Sequence, residues 1–125
     1  MDRLALILVE DILRQPQIIY NIVTVGKSGS NNVDYYSIKD AVDSITSASE
    51  NNPYLVQVYP GTFIENTITM KSWITVKGDS SISTIVSASN ASQSLFVGAD
   101  QSMISDLQIQ GVTAPSASAV VYSSP

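Results

Sequence analysis

Val56-Gln57-Val58-Tyr59-Pro60-Gly61-Thr62-Phe63-Ile64-Glu65 sets the pattern for the whole chain. Valine alternates with a polar residue up to Tyr59, the period of a strand with one face inward. Pro60-Gly61 then ends the strand and turns the backbone where an ordinary residue pair would not. Phe63 is placed to enter the core just after the turn. The same alternation of short apolar run and break continues downstream. Thr67–Met70 meets Lys71-Ser72, Trp73–Lys77 meets Gly78-Asp79, and Thr84–Ser87 meets Ala88-Ser89-Asn90. Leu95–Val97 precedes Gly98, Met103–Gln110 precedes Gly111, and Ala119–Tyr122 closes the series. Short strands at intervals of about ten residues fit a sandwich, a barrel or a β-solenoid. The solenoid is favoured. The breaks are not the Asn-Gly or Asp-Gly pairs of two-residue hairpins, and the strands are as short as the faces of a stacked coil.

Upstream, the sequence supplies what such a stack needs at its first end. Ser37 and Asp40 have the spacing of a capping box, with Asp in place of Glu or Gln. Ile38, Ala41, Val42 and Ile45 follow at helical spacing on a single face. A helix with one apolar face lies over something flat, and here it would cover the open end of the first coil. Before it come a β-branched run, Ile18–Val25, and a Gly/Ser/Asn loop from Gly26 to Asp34. Residues Asp2–Gln15 read as a separate helix that Pro16 stops, with Asp2 near its start and Arg14 near its end as the helix dipole prefers. Its apolar arc is wider than a surface helix needs. Either its own domain or partner chains supply the cover. The organisation expected is therefore an apolar helical assembly segment at 1–17, with Leu4, Ile7, Leu8, Ile12 and Leu13 as its interface, and the capped first part of a β-helix at 18–125.

The 125 residues and 13.4 kDa suffice for one core. Charged residues are only 14%, and 20 serines with many Thr, Asn and Gln take their place. A net charge of -5 with six basic residues leaves no patch to neutralise phosphates, so no nucleic-acid partner is expected. Zero Cys excludes disulfides, thiolate metal sites and a cysteine nucleophile, while leaving the compartment open. Zero His excludes a Ser-His-Asp triad and nearly every transition-metal site. The apolar run Leu4–Val9 is too short to span a bilayer or to form a secretory signal core.

Taken in order, Val23-Thr24-Val25, Tyr36-Ser37-Ile38-Lys39-Asp40-Ala41-Val42, Val56–Glu65, Ile74-Thr75-Val76-Lys77-Gly78-Asp79 and Ile104-Ser105-Asp106-Leu107-Gln108-Ile109-Gln110 resemble the opening of the pectin-lyase-like right-handed parallel β-helices, on the pectinesterase side of that superfamily. The likeness spans about residues 22–122. It implies a mainly β fold, the first coils of a right-handed parallel β-helix with an amphipathic capping helix and a preceding apolar helix. It implies activity only weakly, because lyases, esterases, phage tailspikes and structural proteins share this opening. Esterases of the family use paired aspartates, oxyanion-binding glutamines and an arginine. Most of these belong to coils beyond Pro125, and Ser118 stands where the first such glutamine falls. The lyase branch places its calcium-binding aspartates and basic catalyst on later coils too. The chain as given is expected to be inert toward pectin.

Other residues read more plainly as structure. Glu65 is expected in a surface or turn-bonding role rather than catalysis. Asp79, Asp100 and Asp106 adjoin turns, where Asx hydrogen bonds are a simpler reading than a calcium site. Trp73 and the six tyrosines offer sugar-stacking rings, yet no ladder of aromatics is visible and core or cap packing is favoured. Asn90-Ala91-Ser92 fits a glycosylation triplet that is common by chance. The function expected is a non-catalytic structural or assembly module of a viral or phage particle, in a tail, fibre, spike or capsid-associated β-helix, and extracellular or virion-borne. It is expected to need no cofactor and no metal, and to form a homo-oligomer (a trimer) with other virion proteins or surface carbohydrate as partners. The alternative is the first part of a carbohydrate-active β-helix enzyme whose site lies on later coils. An uncapped last rung calls for further chain or a partner to cover it.

Overall fold

The structure is a computed structural model that describes residues 19–29, 32–114 and 117–122. Leu4, Ile7, Leu8, Ile12 and Leu13, with the whole 1–17 segment, lie outside the described residues. The described chain is β1 (Asn21–Val25), α1 (Ile38–Ser44), β2 (Tyr54–Val58), β3 (Gly61–Glu65), β4 (Ile68–Thr69), β5 (Ile74–Gly78), β6 (Thr84–Ala88), β7 (Phe96–Gly98), β8 (Met103–Ser105), β9 (Gln108–Gln110) and β10 (Val120–Tyr122). None of its helices is long and apolar enough to cross a membrane.

Every strand pairing is parallel. The strands form three sheets, ordered β1-β2-β5-β8, β3-β6-β9 and β4-β7-β10. From β2 onward the chain visits the first, second and third sheet in turn, three times over. Like residues therefore stack. Val56 pairs with Val76 and Val76 with Ile104; Phe63 pairs with Val86 and Val86 with Ile109; Ile68 pairs with Phe96, which pairs with Val120. Parallel sheets are usually covered by helices on both faces and read as unbroken apolar runs. These alternate instead: Val56, Val58, Phe63, Ile74, Val76 and Val86 are buried while their neighbours in sequence are less so. The three sheets enclose the core among themselves, so only their inner faces need be apolar.

Two glycines have steric reasons. Gly61 sits at φ 149, and a Cβ there would meet the Lys27 side chain, whose ammonium donates to the Thr62 carbonyl at 2.6 Å and lies 5.1 Å from the centre of the Phe63 ring. Gly78 lies under the β8–β9 corner, and a Cβ there would strike the Asp106 carbonyl oxygen.

The structure departs from the sequence expectation in three places. Met103–Gln110 is not one strand, because Asp106 adopts a left-handed φ of 57 and splits it into β8 and β9 in different sheets; Asp tolerates that conformation better than most residues. Residues after Pro60 form a strand of their own, β3, with Phe63 at its centre. Ile19 and Tyr20 precede β1 rather than belonging to it.

Candidate functional site

The helix α1 closes one end of the stack. It packs on β1, β2, β3 and β4, and its Ile38, Ala41 and Val42 are completely buried. Ser37 is the N-cap, its Oγ accepting from the Asp40 N–H at 3.3 Å. Glu65, the last residue of β3, completes the cap from another element. Its carboxylate accepts from the Ser37 hydroxyl at 2.8 Å, the Ile38 N–H at 3.0 Å and the Lys39 N–H at 3.2 Å. At 5% exposure Glu65 is buried, which corrects the surface option and keeps the bonding one. Its position is physically sound, since a carboxylate at a helix N-terminus satisfies free N–H groups and opposes the helix dipole favourably. The other end of α1 is held in the complementary sense. Lys71, just past β4, donates from its ammonium to the carbonyls of Ile45 at 2.7 Å and Asp43 at 3.2 Å. An anion at the start and a cation at the finish, both from the first circuit, clamp the cap onto it. Sequence reasoning missed Lys71, which reads there only as a break between strands.

On the flank of the same end, the edge of β1 is also covered. Asp34 N–H and Tyr35 N–H donate to the Thr24 carbonyl at 3.1 and 3.0 Å, and Gly26 N–H donates to the Tyr35 carbonyl at 3.1 Å.

The opposite end has no such closure among the described residues. β8, β9 and β10 are each the terminal strand of their sheet. Ile104, Leu107 and Ile109 are only half-buried there, against complete burial of Val56, Val76 and Val86 in the circuits before. Met103 is 59% and Val120 48% exposed. These residues line a concavity of about 480 Å³ together with Gly98, Ala99 and Ser102. Near its rim, Lys77 and Asp106 stand 3.8 Å apart with both side chains about half exposed, a pair of small energetic weight. This face combines three strand edges with an apolar centre. Such an edge is a template for pairing with further chain.

The remaining sequence candidates scatter. Asp79 accepts from the Ser83 hydroxyl at 3.4 Å within its own turn, and Asp106 forms the β8–β9 corner. Among the described residues no group of three or more His, Cys, Asp or Glu converges in a way that would hold a metal ion. Ser118 is exposed. Trp73 lies at a corner before β5 with φ 68, its N–H donating to the Gln101 carbonyl at 2.8 Å. Tyr35 and Tyr54 pack against the core, as cap packing requires, while Tyr36 and Tyr59 are exposed. Comparison of the chain with family models, with curated proteins and with solved structures returns no match.

Proposed function

We propose that the chain is a structural and assembly module, the capped first circuits of a right-handed parallel β-helix of the pectin-lyase-like kind. The observation that carries this reading is the asymmetry of the two ends. One is closed by a helix clamped through Glu65 and Lys71, and the other presents three parallel strand edges around half-exposed Ile104, Leu107 and Ile109. The cyclic visiting of three parallel sheets supports the β-helix, and parallel crossovers within one sheet are right-handed in about 98% of cases. A solenoid is stable when each rung is covered by a neighbour, so the open face is where the next element of the assembly docks.

The wider setting follows from composition and resemblance. A particle protein of a virus or phage, in a tail, fibre or spike, accounts for a surface of Ser, Thr and Asn without cysteine. The apolar arc of Leu4, Ile7, Leu8, Ile12 and Leu13 would join the chains as a homotrimer.

Light scattering on size-exclusion fractions tests the docking face. The native chain is expected to associate beyond any trimer as its concentration rises, and Val120→Lys or Ile109→Lys to suppress that step while keeping the β-type circular dichroism. Unchanged association in both folded variants, or none in the native chain, would refute the assembly reading of this face.

A further inference from the structure

The outer face of the first sheet carries an apolar stripe that the described residues leave uncovered. Residues along a strand alternate between the two faces, and Val23, Val56, Val76 and Ile104 form an inward column against the core. The residue before each of them, Ile22, Leu55, Thr75 and Met103, pairs in register as an outward column. Ile22 is 61% and Met103 59% exposed, with Leu55 and Thr75 half-buried between them. The next outward column, Thr24, Gln57, Lys77 and Ser105, is polar throughout. The outward columns of the second sheet mix the two kinds, as in Ile64, Ser87 and Gln110. An apolar line that runs the height of a sheet marks a contact surface, unlike apolar residues scattered singly.

The chain enters this stripe directly from its N-terminal segment. Ile22 belongs to β1, and just before it Ile19 is 77% and Tyr20 40% exposed. The residues before Ile19 lie outside the described ones, and the sequence predicts a helix over 2–15 with only Pro16, Gln17 and Ile18 between it and Ile19. Leu6 and Val9 stand outside the set assigned to assembly. With Leu13 they recur at i, i+3 and i+7, a second apolar line on the side away from Leu4 and Leu8. Lengths agree as well. A helix over 2–15 is about 21 Å long, and four strands at the usual spacing put the ends of the stripe about 14 Å apart. A tether of three residues holds the segment at an effective concentration in the millimolar range, which the same segment of a neighbouring chain has to exceed.

We infer that the 2–15 helix lies across the outer face of the first sheet of its own chain, setting Leu6, Val9 and Leu13 on the stripe of Ile22, Leu55, Thr75 and Met103. This accounts for an apolar arc wider than one contact needs, because Leu4, Ile7, Leu8 and Ile12 stay free to meet other chains. The contact goes beyond the assembly reading and stands without it, since it forms within one chain whether or not chains associate.

Cross-linking of the full chain tests it, and the absence of native cysteine makes each introduced pair unambiguous. Val9→Cys is combined with Leu55→Cys, and in a second variant with Thr75→Cys, each checked for the β-type circular dichroism. Thr62→Cys, on the outer face of the second sheet, replaces the partner in the control. Dilute protein is oxidised with oxidised glutathione and read by thiol titration and non-reducing electrophoresis. At least one of the two pairs is expected to close at monomer mass, at least tenfold faster than the control. Closure of neither folded pair overturns the inference, as does closure of the control at an equal rate. Bands at dimer or trimer mass in place of monomer closure overturn it too, because they assign the stripe to the segment of a neighbouring chain. None of these outcomes bears on the association read at Val120 and Ile109.

Discussion

Replacing Glu65 with alanine removes the acceptor that joins the first circuit to its cap. Three donors lose their partner at once: the Ser37 hydroxyl at 2.8 Å, the Ile38 N–H at 3.0 Å and the Lys39 N–H at 3.2 Å. Hydrogen bonds to a charged group contribute about 1.5–3 kcal/mol each when buried, and a stranded buried N–H costs about 1–3 kcal/mol. Ser37 and Lys39 are half-exposed and recover water, so their losses are partial; Ile38 is completely buried and does not. The net expected loss is therefore about 3 kcal/mol, set mainly by the Ile38 N–H and the cavity beside it. For a domain of this size that lowers Tm by roughly 10–14 °C. Glu65→Gln keeps one carbonyl acceptor but turns an amide donor toward other donors, and is expected to lose about half as much. Urea unfolding followed by far-UV circular dichroism and by Trp73 fluorescence measures both variants. A loss under about 0.5 kcal/mol for the alanine variant, with an unchanged denaturant slope, would show that the carboxylate does not hold the cap.

Three further outcomes follow from the same structure and one from the proposed assembly segment. Lys71→Met strips the ammonium from the Ile45 and Asp43 carbonyls and should cost about 1 kcal/mol in urea unfolding, whereas a stabilised variant would contradict the clamp. Gly78→Ala drives a Cβ against the Asp106 carbonyl oxygen and is expected to lose about 1–3 kcal/mol, with amide exchange accelerating first at the β8–β9 corner; a neutral effect would mean that this corner yields freely. If the proposed N-terminal arc joins the chains, Leu8→Asp combined with Ile12→Asp should reduce the light-scattering mass to that of a monomer with the β-type spectrum retained, and a mass unchanged by the pair would remove the arc from assembly. The Lys39 ammonium donates to Asp43 at 2.6 Å, and that bond and charge raise its pKa above the ordinary lysine value of 10.5. The pair's small contribution is therefore present below about pH 10.5 and disappears as pH rises through the folded value. Lys39→Met should flatten the stability profile in that alkaline window alone.

The repeat of strands and breaks was legible because each inward valine or isoleucine alternates with a polar neighbour, and because Pro60-Gly61 marks a corner in plain sight. The cap helix was legible too, from Ser37 and the spacing of Ile38, Ala41, Val42 and Ile45. What escaped depends on partners distant in sequence. Glu65 looks like a residue at a strand end until α1 is laid across β3, 26 to 28 positions away. Lys71 behaves likewise. The left-handed residues Trp73, Gln101 and Asp106 carry no glycine to announce them; the stacking of each corner on the last over-determines their backbone. The outward column of Ile22, Leu55, Thr75 and Met103 was hidden for the same reason, since its successive members are 20 to 33 positions apart and meet only through the fold.

The corners differ in how much they vary from one circuit to the next. The passage from the third sheet back to the first takes four residues both times, 70–73 and 99–102, with Trp73 and Gln101 at equivalent left-handed positions joined by a hydrogen bond. The passage from the second sheet to the third lengthens from 66–67 to 89–95 to 111–119. The first corner acts as a pawl, advancing the chain by one rung and fixing the register of all that follows. The second is a free margin where sequence can be added without disturbing the pitch. Insertions that diversify a surface will therefore be tolerated along that one edge of the prism, and a single residue added at the pawl will shift every later strand out of phase.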